Sequence, residues 1–294
     1  MTPGQEMEIV RLADLVPTEL VDGIGDCKIQ IPTWAFRPDQ WSRAFQRGLR
    51  QLPISRDEPF RGWEIGTGTG VNALMLGKWF PNAQFRLSDS DGRCTRLAFE
   101  NLTRNGLDVS RFEPLDGNWD LIKSPKGQTP SGRTDLVVAC IPQVTVPKDN
   151  EFLHKGDNLA HYYDPAQYPD IDLQWHAVGL GLNAALLKRG KKVLSINGRI
   201  VLNLAGRPSR ERLLQMFVEH DYQPRILHEE VIAQDPNTEL TTMAQQERDG
   251  DGLQFEFFTD QGGNLRINAR TAERRRLEGK SLFHKIYVIE GRPL

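Results

Sequence analysis

An α/β fold, a doubly wound and mostly parallel sheet with an N-terminal helical segment and an inserted lid, is what this sequence predicts. Three observations carry that expectation. From Trp63 onward, short apolar strand-like runs alternate with stretches of helical periodicity. The run Trp63-Glu64-Ile65-Gly66-Thr67-Gly68-Thr69-Gly70-Val71 reads as a strand, a turn with glycines at alternate positions, and the start of a helix. Asp135-Leu136-Val137-Val138-Ala139-Cys140 is almost continuously apolar, as a strand buried on both faces must be.

Taken in order, Arg11 to Val16 reads as a short helix that Pro17 stops, and Gly23, Gly25, Pro32 and Pro38 break the next stretch into loops and extended pieces. Asp39 is placed to cap a helix in which Trp41, Phe45 and Leu49 form an apolar stripe. After the glycine turn, Gln84 to Asp89 is a second strand ending in acid, and Arg93 to Asn105 a helix. Arg111 to Leu115 is a weaker strand ending beside Asp116, and Lys123 to Arg133 a loop rich in Pro, Gly and Ser. Residues 145 to 174 are polar and aromatic with little periodicity, as in a lid. Gly179 to Val193 is helical, Asn197-Gly198 a turn, and Arg199 to Leu204 a strand. Arg225 to Ile232, Gln254 to Phe258 and Lys285 to Ile289 complete the strands. The arginine run Arg274 to Arg276 fits the solvated face of a helix. The expected organisation is an N-terminal segment, 1–56, covering the active site of a domain at 57–294, with a lid at 145–178 and a C-terminal elaboration at 235–280.

Composition narrows the partners. The 294 residues are 38% apolar and 26% charged, within the range of a globular chain. A net charge of −2 gives no electrostatic basis for nucleic acid or an anionic membrane as partner, and leaves room for a homodimer. Cys27, Cys94 and Cys140 are widely spaced and suggest neither disulfides nor a metal site, which favours a reducing cytoplasm. The polar start lacks the order of a signal peptide, and no apolar run reaches membrane-spanning length. His154, His161 and His176 are not spaced as metal ligands, so no metal is expected.

The glycine turn is the expected ligand site, because a strand's carboxyl end opening a helix concentrates free N–H groups. Its pattern, Glu64-x-Gly66-x-Gly68-x-Gly70, brings the third glycine one position early for a dinucleotide fingerprint. It resembles instead the first motif of class I S-adenosylmethionine-dependent methyltransferases, whose fold is Rossmann-like. That resemblance implies S-adenosyl-L-methionine as cofactor, held by Glu64, Gly66, Thr67, Gly68 and Gly70, with Asp89 on the ribose hydroxyls and Asp116 on the adenine amino group. Trp119 is a candidate to stack on the adenine, and Cys140 to line the cofactor's other side.

After the fourth strand of the domain comes Cys140-Ile141-Pro142-Gln143, where many amino and amide methyltransferases carry Asn-Pro-Pro-aromatic. The departure argues against glutamine or another nitrogen as acceptor. Cys-Ile-Pro-Gln resembles the corresponding motif of methionine S-methyltransferases. The likeness extends to Asp39-Gln40-Trp41-Ser42, Gly179-Leu180-Gly181-Leu182, Asn203-Leu204-Ala205-Gly206-Arg207-Pro208, Phe255-Glu256-Phe257-Phe258 and Ala269-Arg270-Thr271-Ala272. It implies methyl transfer to the thioether of L-methionine, giving S-methyl-L-methionine, as in a free-standing bacterial form that opens dimethylsulfoniopropionate synthesis. A glutamine or other small-molecule methyltransferase, and a non-catalytic S-adenosylmethionine-binding protein, are the alternatives.

A thioether has no proton to lose, so the reaction needs positioning rather than a general base. Pro142, Gln143 and Tyr163 are the candidates to surround the reacting sulfur, with Tyr162 and Tyr163 closing from the lid. Arg207 is the candidate for the substrate carboxylate, through a two-point fork, with Arg270 second. Carbonyls near Cys140 to Pro142, with Gln143 and Asn203, are candidates for the ammonium, and Trp41 or Trp34 for an aromatic wall.

Overall fold

The computed structural model describes residues 7–22, 24–115, 132–146, 162–249 and 252–294. The chain opens with β1 (Met7–Arg11), antiparallel to β2 (Lys28–Pro32). This corrects the expected helix at Arg11 to Val16. Arg11 pairs with Lys28 and the Leu12 N–H donates to Cys27, leaving one 3-10 turn, Leu12–Asp14, before Pro17. Helix α1 (Gln40–Arg50) is capped by Asp39, which accepts from the Trp41 N–H at 2.8 Å. Such a cap contributes about 1 kcal/mol. Phe45 and Leu49 are fully buried on its inner face; Trp41, at its start, is half-buried.

Strand β3 (Arg61–Ile65), helix α2 (Val71–Trp79), strand β4 (Gln84–Ser88), helix α3 (Gly92–Arg104) and strand β5 (Phe112–Pro114) form two parallel steps away from β3. Strand β6 (Thr134–Ala139) pairs parallel on β3's other side, so the strand order reverses there. Between them, β3 and β6 create the crevice in which open α/β sheets hold ligands.

The described part of the insertion is framework. Strands β7 (Val144–Thr145) and β8 (Tyr162–Tyr163) pair in parallel, and α4 (Leu173–Ala177) follows. Tyr162, Tyr163, Tyr168, Ile171 and Trp175 are all buried, so the described residues of the expected lid pack against the core. Next come α5 (Gly181–Gly190) and β9 (Leu194–Ala205), which pairs parallel with β6. Asn197-Gly198 is not a separate turn. It lies inside β9, where the register jumps between Thr134 and Leu136 while the facing strand advances from Leu194 to Arg199.

Helix α6 (Arg210–Glu219), strand β10 (Tyr222–Ala233), helix α7 (Thr241–Asp249), strands β11 (Phe257–Phe258) and β12 (Arg266–Ile267), helix α8 (Ala269–Leu277) and strand β13 (Phe283–Pro293) complete the chain. Strand β13 inserts antiparallel between β9 and β10. The strand expected at Gln254 to Phe258 survives only in its last two residues. Upstream, the Phe255 N–H donates to the Glu247 carboxylate and the Glu256 N–H to the Arg207 carbonyl, which takes that backbone out of the ladder. The main path of the nine-stranded sheet runs β12-β11-β13-β9-β6-β3-β4-β5, with β10 on β13. Five parallel strands with an antiparallel set at one edge make the sheet mostly parallel, in a Rossmann-like arrangement.

Two apolar cores follow from the two-residue period of the strands. Val137 and Ala139 join Trp63, Ile65, Leu202 and Leu204 on one face, with Trp175, Leu186 and Phe217 above them. Leu136 and Val138 join Phe45, Leu49, Leu74, Phe85 and Val288 on the other. The β1–β2 hairpin is held on this second face by two asparagines of α3 and its cap. Asn101 and Asn105 each exchange a donor and an acceptor with β2 backbone, at Gln30 and Lys28. Asn101 also donates to the Thr69 carbonyl at 2.9 Å, so one fully buried amide ties the hairpin to the glycine turn.

Candidate active site

The glycine turn leaves β3 with Gly66, Gly68 and Gly70 at φ of 75°, 52° and 78°, all in the left-handed region that side chains resist. Their surroundings differ. A Cβ on Gly70 would lie 2.8 Å from Ala98 of α3, and one on Gly66 would lie 3.3 Å from the Cys140 carbonyl. A Cβ on Gly68 would meet nothing within 4 Å. Gly66 and Gly70 are therefore needed by the protein's own packing, whereas Gly68 faces open space where a ligand's approach is possible. The Gly68 N–H donates to Asp89 Oδ2 at 2.9 Å, and the Asp91 N–H to Asp89 Oδ1 at 3.0 Å. Asp89 thus stands half-buried at the end of β4, its carboxylate set against the turn.

Glu64 is fully buried beneath the turn and accepts from the Thr67 hydroxyl at 2.8 Å. Burial drives its carboxyl up from the usual 4.5 to about 8; hydrogen bonds from Thr67 and Asn72 oppose that and Asp89 adds to it. The group is thus mostly protonated at neutral pH in the bare protein. The turn thus offers a ligand the open face of Gly68 with the carboxyls of Glu64 and Asp89 beside it. Asp116 and Trp119, expected on the adenine, lie outside the described residues.

From the turn a chain of contacts leads across the strand ends. The Cys140 thiol, at the end of β6, accepts from Asn203 Nδ2 at 3.3 Å. Burial pushes that thiol up to about 12, so it is a neutral wall and no nucleophile. Asn203 Nδ2 also donates to the Trp41 carbonyl at 3.0 Å, joining β6, β9 and α1 at one point. Asn203 Oδ1 is buried with no hydrogen-bond partner.

Gln143 was expected among the groups around the substrate. The structure commits its amide to backbone: Nε2 donates to the Asn203 carbonyl and Oε1 accepts from the Ala205 N–H, both at 2.8 Å. It fastens the loop after β6 to the end of β9. Pro142 beside it is half-buried. Tyr163 is similarly engaged, its hydroxyl accepting from the Gly181 N–H at 3.0 Å and lying 3.3 Å from His176 Nδ1. The Tyr162 hydroxyl accepts from the Glu239 N–H at 3.2 Å.

Arg207 follows β9 and is only 5% exposed. Among the described residues no carboxylate lies within ion-pair distance of it. Its Nε donates to Gln234 Oε1 at 3.2 Å, and its guanidinium carbon lies 5.6 Å from the centre of the Trp41 ring. Burial draws its pKa down to about 10, while Tyr162 and Asp235 act to raise it. His284, on β13, lies with its ring centre 5.5 Å from that of Trp41 and is fully buried, with both ring nitrogens unpartnered. Burial, and then Arg207, hold it well below its usual value and hence neutral. By contrast Arg270 is exposed on α8, and Trp34 is covered by the Arg93 guanidinium at 4.4 Å. His176 is buried in the Tyr163 and Tyr168 framework, and His154 and His161 lie outside the described residues. No cluster of three metal-ligating side chains occurs among the described residues, and no helix there is long and apolar enough to cross a membrane.

Sequence reasoning missed Gln234, Asp235 and His284, and saw Asp39 only as a cap. Nothing local marks them. They reach the site because β10 ends and β13 begins there, and because Gln40 Oε1 accepts from the Ala233 N–H at 3.1 Å, stapling residues 39–41 to 233–235. Asn101 was missed for the same reason.

No family model matches the chain. Over 299 residues, 95% of its length, the chain is 27% identical to methionine S-methyltransferase of Zea mays. It is 27% identical over 284 residues, 86% of its length, to methionine S-methyltransferase of Arabidopsis thaliana. The aligned stretches amount to 27% and 25% of those proteins, so the chain spans about a quarter of the plant relatives it matches. Over 118 residues it is 36% identical to release factor glutamine methyltransferase of Agrobacterium fabrum, covering 37% of this chain and 39% of that one. The resemblance to methionine S-methyltransferases therefore extends through most of the chain.

Proposed function

We propose that this protein is an S-adenosylmethionine-dependent methyltransferase that methylates the thioether sulfur of L-methionine. The observation that carries the reading is Arg207. It is a buried cation with no acid partner among the described residues, joined through Trp41, Asn203 and Cys140 to the glycine turn. A buried guanidinium without a carboxylate is costly, and a ligand carboxylate removes that cost. The likeness to methionine S-methyltransferases supports the acceptor.

In this reading Glu64, Gly66, Thr67, Gly68, Gly70 and Asp89 hold the cofactor, with Asp116 and Trp119 at its adenine. Bound there, S-adenosylmethionine supplies an electrophilic methyl group, which the methionine sulfur accepts as S-adenosylhomocysteine is released. The chain's residues perform no proton transfer. Arg207 fixes the carboxylate, Trp41 walls the recess, the neutral Cys140 thiol brings no anion to compete for Arg207, and the neutral His284 adds no second cation beside it. Gln143 and Tyr163 act by fixing the loop after β6 and the start of α5. Orientation of this kind contributes about 7–11 kcal/mol to a two-reactant step. The 1–56 segment serves as a cover, supported by the position of Trp41 and the clasp at Asn101. The place of S-methylmethionine at the start of dimethylsulfoniopropionate synthesis belongs to the same proposal and rests on the resemblance.

A glutamine acceptor is the second reading, favoured by the 36% identical stretch. Against it, Gln143 spends both halves of its amide on backbone, so it offers nothing to a substrate nitrogen. Labelled-methyl transfer to methionine, other thioethers and a glutamine peptide separates the readings. Label on methionine is expected; label confined to the peptide overturns the proposal, and cofactor binding without any transfer identifies a non-catalytic protein.

A further inference from the structure

The recess around Arg207 contains negative charge as well. Asp235 follows Gln234, which Arg207 holds, and Asp235 acts electrostatically on Arg207. Asp39 stands across the staple that joins Gln40 to Ala233. Its carboxyl is pushed up in part by Asp235, and it in turn helps push up the Cys140 thiol. Asp39 is an exposed residue, yet the protein around its carboxyl desolvates it and holds it above its usual 3.8, against the Trp41 and Ser42 N–H groups, while Asp235 adds to the effect. Two carboxylates close enough to repel each other are stabilised by a cation placed between them. Of the side chains expected for the ammonium, Gln143 is spent on backbone, while Asn203 gives its N–H groups to Trp41 and Cys140 and keeps only Oδ1 as an acceptor.

The polar groups of the recess thus fall into two poles. A buried guanidinium, Arg207, is free of any acid at ion-pair distance among the described residues. Two carboxylates, Asp39 and Asp235, flank the stapled residues 40 and 233–234, beside the Trp41 carbonyl that holds Asn203, whose buried Oδ1 is unpartnered. We propose that Asp39 and Asp235 bind the α-ammonium of the acceptor while Arg207 binds its carboxylate, making this recess a receptor for a zwitterionic α-amino acid. The inference rests on the methionine reading above and deepens it, because it predicts rejection of thioethers that lack the amino group. A site built to pair a charged group discriminates strongly against a ligand that lacks it.

The test is calorimetric titration of the full chain, with S-adenosylhomocysteine present, by methionine, by its desamino analogue and by its decarboxylated amine. The wild type is expected to bind methionine at least about 30-fold tighter than the desamino analogue. Asp39→Asn and Asp235→Asn should each weaken methionine by about tenfold or more, leave the desamino analogue unchanged or tighter, and keep the affinity for S-adenosylhomocysteine. Asn caps a helix as well as Asp, so Asp39→Asn preserves the start of α1; Asp235→Asn carries the same test at a position outside a helix. Equal binding of methionine and the desamino analogue by the wild type, or equal loss of both in the variants, overturns the inference. A wild type that binds none of the three ligands overturns the methionine reading itself; one that methylates methionine while its variants lose both ligands alike overturns only the ammonium assignment.

Discussion

At the scale of single residues, Arg207 separates function from stability. Burying its charge without an acid partner costs the fold, and Arg207→Met replaces it with an apolar chain of similar length. We expect thermal denaturation of Arg207→Met to show a midpoint equal to or above that of the wild type, while the KM for methionine rises about 30-fold or more and that for the cofactor stays within a few-fold. A lowered midpoint with both KM values raised alike would make Arg207 a structural residue. Glu64 gives a pH signature. Its folded-state pKa is raised from 4.5 to about 8, so the unfolded chain releases that proton at a lower pH than the folded one. Its contribution to stability is therefore complete below pH 4.5 and is lost as pH rises through about 8, a loss on the order of a few kcal/mol. In the cofactor-free protein, Glu64→Gln should flatten the decline in melting temperature across that window. A decline of unchanged slope in the variant would show that Glu64 is already ionised.

At the scale of elements, the glycine turn and α3 make separable contributions. A side chain at Gly70 would collide with Ala98 and adopt a strained φ, so Gly70→Ala is expected to destabilise the protein by about 2–3 kcal/mol in urea unfolding. Gly68→Ala meets only the strain, about 1 kcal/mol, yet should weaken the cofactor at least about tenfold, since its Cβ enters the ligand's space. Similar stability losses in both, with cofactor affinity intact in Gly68→Ala, would move the ligand away from Gly68. Asn101→Ala strips partners from Gln30 and from Thr69, and about 2–3 kcal/mol of stability should go with them. If the hairpin is a cover coupled to the turn, the cofactor affinity of Asn101→Ala falls too; an unchanged affinity would make the clasp purely structural.

How much of this was legible in the sequence also depends on scale. The parallel strands and the glycine turn announce themselves, because period, apolar content and glycine spacing are local. Asp39 was readable as a cap for the same reason. The 162–178 segment shows no period because Tyr162 and Tyr163 bury their rings while their hydroxyls accept from the Glu239 and Gly181 N–H groups. Gln143 could be placed near the site but not oriented, since only the fold decides whether an amide faces a ligand or a neighbouring strand. Asp235 and His284 were invisible, being brought to Trp41 and Arg207 by the insertion of β13 between β9 and β10.

For the whole molecule, the site lies at the carboxyl ends of β3, β6 and β9, where the strand order reverses. It extends to the end of β10 and the start of β13, which the antiparallel edge brings to the same side. In the proposed reading the turn after β3 takes the cofactor, and Arg207 after β9, with the segments after β10 and at the start of β13, forms the acceptor recess, with Cys140, Asn203 and Trp41 between them. The central claim is that these two halves transfer a methyl group to a sulfur. Mass spectrometry of the purified protein incubated with S-adenosylmethionine and methionine tests it most directly. The account expects S-methylmethionine and S-adenosylhomocysteine in equal amounts, and no S-methylmethionine without protein. Cofactor consumption with methionine left unchanged, or methyl groups recovered on another acceptor alone, would contradict it.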